Sequence, residues 1–142
     1  MRNPLKATSI SLCTAGLVLG LSACSTDSAV WGSEGAEVRE AANQFVSANK
    51  GANAPRVCSD SKADLGSPSK WAGLSTGEPE KFSGKQWETY EQLSPTWVIN
   101  LSYSSATTGA ESRKVPSFLF FKGGGKDLCV VAVEWGELRS TS

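Results

Sequence analysis

The sequence predicts one domain of the α+β class, and three observations lead to this prediction. An amphipathic helix is predicted over residues 34–50, antiparallel strands are predicted in the C-terminal third, and proline and glycine punctuate the chain between them. A chain of 142 residues suits a single domain. The sequence has no histidine, and its 14 basic residues balance 14 acidic ones. Histidine-activated nucleophiles and histidine-ligated metals are therefore excluded, and no excess of positive charge indicates nucleic-acid binding.

The predicted helix has one apolar face. Most of its apolar side chains recur at intervals of three or four residues, namely Val38, Ala41, Ala42, Phe45, Val46 and Ala48. Lys50 and Gly51 supply a stop signal after them. This face indicates packing against a core rather than a ligand site.

The C-terminal third has the patterning of antiparallel strands. Apolar and polar residues alternate over residues 97–104, which predicts a strand with one buried face. Two more strands are predicted, over residues 115–122 and 128–135, and the glycine-rich segment 123–127 joins them as a hairpin turn. Residues 51–94 show no clear period.

Within the irregular middle of the chain, we expect a short helix at residues 63–65.

Trp97 and Trp135 are expected in the core, since both lie in predicted strands. Aromatic side chains in the polar middle are instead the candidates for binding a ligand or a partner, because such residues are favoured at binding hot spots. They are Trp71, Trp87 and Tyr90. The alternative is that tryptophan fills the core of a small domain.

The N-terminus resembles a bacterial lipoprotein signal peptide. Arg2 and Lys6 precede an apolar run of about 15 residues, shorter than the ~20 that a membrane-spanning helix needs. The run ends in Leu-Ser-Ala-Cys at residues 21–24, which resembles the lipobox. The resemblance implies cleavage before Cys24 and a diacylglycerol on its sulfur. The alternatives are an uncleaved membrane anchor, or ordinary cleavage that leaves Cys24 free.

The lipobox resemblance divides the chain into three parts. Residues 1–23 would be the signal peptide, residues 24–33 a lipidated tether, and residues 34–139 a single α+β domain. The domain would be held at the cell membrane, outside the cytoplasm, by acyl chains such as palmitate. Two or three chains give stable attachment, since each buried methylene contributes ~0.8 kcal/mol.

Two cysteines remain in the exported domain once the signal peptide is removed and Cys24 is acylated. They are Cys58 and Cys129, an even pair in a compartment where disulfides persist, so we predict a bond between them. Two buried free thiols are the alternative. The chain has no Cys-x-x-Cys motif, which argues against a thiol-disulfide oxidoreductase.

Several features resemble the small lipoproteins of actinobacteria with a nuclear transport factor 2-like (cystatin-like) domain. They are the helix VREAANQFVSA at residues 38–48, the Val-Cys-Ser step at 57–59, and a glycine turn before Leu-Cys-Val at 128–130. The resemblance implies a curved sheet wrapped by helices into a cone, with a disulfide from the closing strand. It does not choose a function, because related domains include enzymes and non-catalytic proteins.

The sequence therefore predicts a non-enzymatic, lipid-anchored envelope protein. It would bind a small ligand or a protein partner near Trp71, Trp87 and Tyr90, without a cofactor or metal. One alternative is a protein-inhibiting or masking lipoprotein that presents an exposed apolar patch on residues 66–95.

A second alternative is a hydrolase or isomerase that uses paired carboxylates. It requires two of three glutamates, Glu88, Glu91 and Glu134, to converge in one cleft.

Overall fold

The computed structural model describes residues 26–51, 53–103 and 113–138. In this part of the chain, one long helix packs against a four-stranded antiparallel sheet, which confirms the α+β class. The elements are α1 Thr26–Lys50, β1 Leu74–Lys81, β2 Trp97–Tyr103, β3 Arg113–Lys122 and β4 Cys129–Leu138. The strands lie in the order β1-β2-β3-β4, so each pairs with its neighbour in sequence.

Helix α1 begins at Thr26, earlier than the predicted start, so part of the segment expected to be a tether is helical. The helix is kinked at Gly32, whose φ of 73° is readily adopted by glycine. Arg39 joins the two sides of the kink, because its guanidinium pairs with Asp27 and lies 4.9 Å from the ring centroid of Trp31. The predicted signal peptide and Cys24 lie outside the described residues.

Both faces of the sheet are covered. The predicted apolar face of α1 packs on one of them, against side chains that include Trp97, Ile99, Leu119 and Phe121. The opposite face carries Val98, Phe120, Val131 and Ala132, and a 3₁₀ segment, Glu88–Leu93, lies over it.

The prediction that β2 buries a single face is therefore wrong at its start. Val98 is only 3% exposed because the chain between β1 and β2 folds over it. The strands predicted at 115–122 and 128–135 are confirmed as β3 and β4.

The irregular middle of the chain contains a strand that its sequence does not indicate. Strand β1 has few apolar residues and includes Pro79, but it pairs with β2 and has a bulge between Thr76 and Pro79. The helix expected at residues 63–65 is absent, and this segment has no regular secondary structure. The Lys62 amide, just before it, donates to the Val131 carbonyl oxygen at 2.9 Å.

The disulfide between Cys58 and Cys129 is confirmed. It links residues 71 positions apart, with their Cα atoms 5.1 Å apart. A loop of this length contributes roughly 4 kcal/mol in the chain-entropy account. Backbone hydrogen bonds reinforce it, since the Cys58 amide donates to the Val130 carbonyl and the Val130 amide donates to the Arg56 carbonyl. The segment that carries Cys58 therefore shields part of the β4 edge from further strand pairing.

Candidate ligand-binding cleft

The three aromatic residues predicted to bind a ligand do not share a surface. Trp71 is 0% exposed and lies in the core beneath α1, edge-on to Phe45, with ring centroids 5.6 Å apart. Its indole N–H donates to the Leu65 carbonyl oxygen at 2.6 Å. The 3₁₀ turn Pro68–Trp71 directs the ring into the core, so Trp71 lies away from the surface on which a ligand was predicted.

Trp87 and Tyr90 lie together on the opposite face of the sheet, where they cover Phe120. The ring centroid of Phe120 is 5.2 Å from that of Trp87 and 4.1 Å from that of Tyr90. Trp87 also packs on Phe118, with centroids 4.7 Å apart. Both rings are half-buried, so most of their surface serves the packing of this face. The expected core position of Trp97 is confirmed, whereas Trp135 is half-buried at the core margin.

The glutamates of the enzymatic alternative have different environments. Glu134 is half-buried and accepts a hydrogen bond from the Tyr90 hydroxyl. Glu88 and Glu91 are exposed on the 3₁₀ segment. Glu134 is thus more buried than Glu88 and Glu91. The hydrogen bond that it accepts comes from a tyrosine and not from a second carboxyl group.

The apolar patch expected on residues 66–95 is not present. Among the described residues, the exposed large hydrophobic side chains are Val30 and Val57, which are 68% and 42% exposed. Neither belongs to that segment. Its aromatic residues pack onto the two faces of the sheet instead.

A cleft lies elsewhere, between α1 and the turn that joins β3 to β4. Its volume is about 480 Å³, and the loop at residues 54–56 contributes to one side. Its apolar lining consists of half-buried and buried residues, namely Ala41, Ala48 and Pro55 together with Phe45, Phe121 and Leu128. The cleft is thus formed by elements far apart in sequence, which meet only because the helix packs against the sheet.

Charges of both signs surround this apolar surface. Glu37 and Glu40 project from α1, whereas Arg56 lies on the loop and Lys126 on the turn. In the described ranges, the ion pairs are Arg39–Asp27, Lys81–Glu34 and Lys122–Asp60. None of the four charges at the cleft is therefore paired within the part of the chain that the structure describes.

A second cleft, of about 440 Å³, adjoins the first and shares Glu37, Gly125 and Leu128 with it. It contains the ion pair between Lys81 and Glu34, whose Nζ and Oε2 atoms are 2.6 Å apart. The hydrogen bond from Lys81 lowers the pKa of the Glu34 carboxyl below its ordinary value. The Lys81 ammonium also lies 3.8 Å from the ring centroid of Trp97. This pairing leaves Glu37 as the unpaired carboxylate between the two clefts.

The cleft is not indicated by the sequence, because the residues that line it belong to separate segments, none of which has the pattern of a site. The carboxylates of α1 lie on the polar face of an ordinary amphipathic helix, and Lys126 lies in a glycine-rich turn. Only the contact between these elements brings the opposite charges around an apolar surface.

Within the described residues, no group of three or more histidine, cysteine or acidic side chains could hold a metal ion. No helix in the same residues has the length and apolar character to span a bilayer.

No protein-family model, curated protein or solved structure matches the chain. The class defined by the fold is a small disulfide-bonded α+β domain with an open, charged cleft.

Proposed function

We propose that this chain is a lipid-anchored protein of the cell envelope whose domain binds a small ligand or a protein partner without transforming it. The observation that carries the proposal is the Cys58–Cys129 disulfide. Such bonds persist outside the cytoplasm and are rare inside it. The lipobox-like sequence at residues 21–24 independently predicts the same location.

The position of the helix supports attachment close to the membrane. Cys24, the proposed site of the lipid, is separated from the first residue of α1 by Ser25 alone. A lipid on Cys24 would therefore hold the N-terminal end of α1 at the membrane surface. The sheet packs against the C-terminal half of the helix.

The cleft beside α1 supports the binding function. Its volume of about 480 Å³ lies within the range of small-molecule sites, and such sites combine apolar surface with a few polar groups. This arrangement replaces the predicted surface at Trp71, Trp87 and Tyr90 as the binding region.

The anchoring is tested by expressing the full chain in a bacterium that processes lipoproteins, with Cys24→Ser as the variant. The matched control is Cys13→Ser, which changes the cysteine inside the predicted signal peptide. We expect intact-mass spectra of the wild type and the control to show an acylated mature chain in the membrane fraction. The Cys24→Ser chain should carry no acyl mass and leave that fraction. Acylation of Cys24→Ser, or an unprocessed wild-type chain in the cytosol, would overturn the proposal.

A further inference from the structure

The charges of the cleft are divided between its sides. The acidic side chains Glu37 and Glu40 come from α1, and the basic side chains Arg56 and Lys126 come from the loop and the turn. Gln44 donates to the Glu40 carboxylate at 3.2 Å, one helical turn along. Because no ion pair joins the two sides in the described residues, each side keeps its charge available to a ligand.

We propose that this cleft binds a short apolar peptide whose two termini are free. The inference rests on the proposed function and names its ligand class. The terminal ammonium lies beside Glu37 and Glu40, and the terminal carboxylate lies beside Arg56 and Lys126. The apolar side chains rest between them, on the apolar lining that the half-buried Ala41, Ala48 and Pro55 expose. The volume of about 480 Å³ limits the peptide to a few residues.

Charge complementarity favours this ligand over the simpler ones. A purely anionic ligand, such as a fatty acid, would pair with Arg56 and Lys126 but face the α1 carboxylates in the same cleft. A purely cationic ligand would meet the opposite repulsion. Like charges brought together cost free energy and are a common device for rejecting wrong partners. A zwitterion with an apolar body satisfies both sides at once.

The binding test uses the full chain, purified from whichever cell fraction contains it and reconstituted in lipid nanodiscs if it is acylated. The probe is the tripeptide Leu-Leu-Leu, measured by isothermal titration calorimetry. Its matched controls are the N-acetylated and the C-amidated tripeptides, each of which lacks one terminal charge. We expect each capped peptide to bind at least tenfold more weakly than the free one.

Two double variants assign each terminus to its side. Replacing Arg56 and Lys126 by glutamine should remove the effect of C-amidation and keep that of N-acetylation. Replacing Glu37 and Glu40 by glutamine should do the reverse. Lys85→Gln, an exposed lysine outside the cleft, is the control and should bind like the wild type.

Equal binding of free and capped peptides, or no binding at millimolar tripeptide, would overturn the inference. The proposed anchoring is scored separately, by the acyl mass on Cys24. A lipidated chain that does not bind the tripeptide would contradict only the peptide assignment. A chain that binds the tripeptide but carries no lipid would contradict only the anchoring.

Discussion

Tyr90 donates its hydroxyl hydrogen to the carboxylate of Glu134, on the sheet face opposite α1. The bond joins the 3₁₀ segment Glu88–Leu93 to strand β4. The Tyr90 ring also stacks on Phe120. Tyr90 thus supplies part of the apolar cover of this face and also a polar contact between that cover and the sheet.

Removing the Tyr90 hydroxyl should destabilise the domain without removing the ring stack. Tyr90→Phe leaves the half-buried carboxylate of Glu134 without its donor, and such a loss costs about 1–3 kcal/mol. Urea unfolding followed by tryptophan fluorescence measures the change. Glu88→Gln, on the exposed side of the same segment, is the control and should stay within about 0.5 kcal/mol of wild type. A Tyr90→Phe protein as stable as the wild type would show that the bond contributes nothing.

Breaking the disulfide should lower the free energy of unfolding by roughly 4 kcal/mol, because the unfolded chain regains the freedom of a long loop. The measurement is thermal unfolding of a variant with both Cys58 and Cys129 replaced by alanine. Wild-type protein under reducing conditions is the control and should unfold near the same temperature. Unreduced wild type should weigh two hydrogen atoms less than the reduced form. An unchanged unfolding temperature in the double variant would contradict the prediction.

Adding a methyl group at Gly66 should disturb the packing of Trp135. Gly66 has a φ of +57°, and a Cβ atom there would lie 2.6 Å from Cη2 of the Trp135 ring. The left-handed backbone alone costs about 1–2 kcal/mol for alanine. Gly124→Ala is the control, because Gly124 is extended and no atom lies within 4 Å of its Cβ position. We expect near-ultraviolet circular dichroism and the unfolding temperature to change for Gly66→Ala only.

The free energy of unfolding should fall at acid pH, because two exposed ion pairs are lost when their carboxylates are protonated. Hydrogen bonds from Lys81 and Lys122 lower the pKa values of Glu34 and Asp60 below their ordinary values of 4.5 and 3.8. The folded state therefore holds these protons less tightly than the unfolded state. Their stabilisation is present above the ordinary pKa values and is lost as the pH falls through the lowered ones.

Carboxyl chemical shifts followed by NMR against pH test this dependence. Lys81→Met should return the pKa of Glu34 to its ordinary range, and 1 M salt should reduce the shift by screening. Lys85→Met is the control, and a Glu34 titration that is the same in both variants would contradict the assignment.

The sequence by itself determined the helix, three of the strands and the disulfide. Apolar residues such as Val38 and Phe45 recur with the period of a helix, and the residues of β2 alternate with the period of a strand. Each pattern can therefore be recognised from residues that are close together in the sequence. The pairing of Cys58 with Cys129 followed from the small number of cysteines together with the lipobox resemblance.

Only the tertiary structure decided where the aromatic residues and the cleft charges lie. Trp71 and Trp87 occur in similar polar surroundings in the sequence, but one is enclosed beneath α1 and the other covers the opposite face of the sheet. Strand β1 exists because β2 offers it unpaired hydrogen-bonding groups, not because its own residues favour a strand. The cleft joins α1 to a turn more than seventy residues away. Such contacts depend on the long-range burial of apolar surface, which local periodicity does not encode.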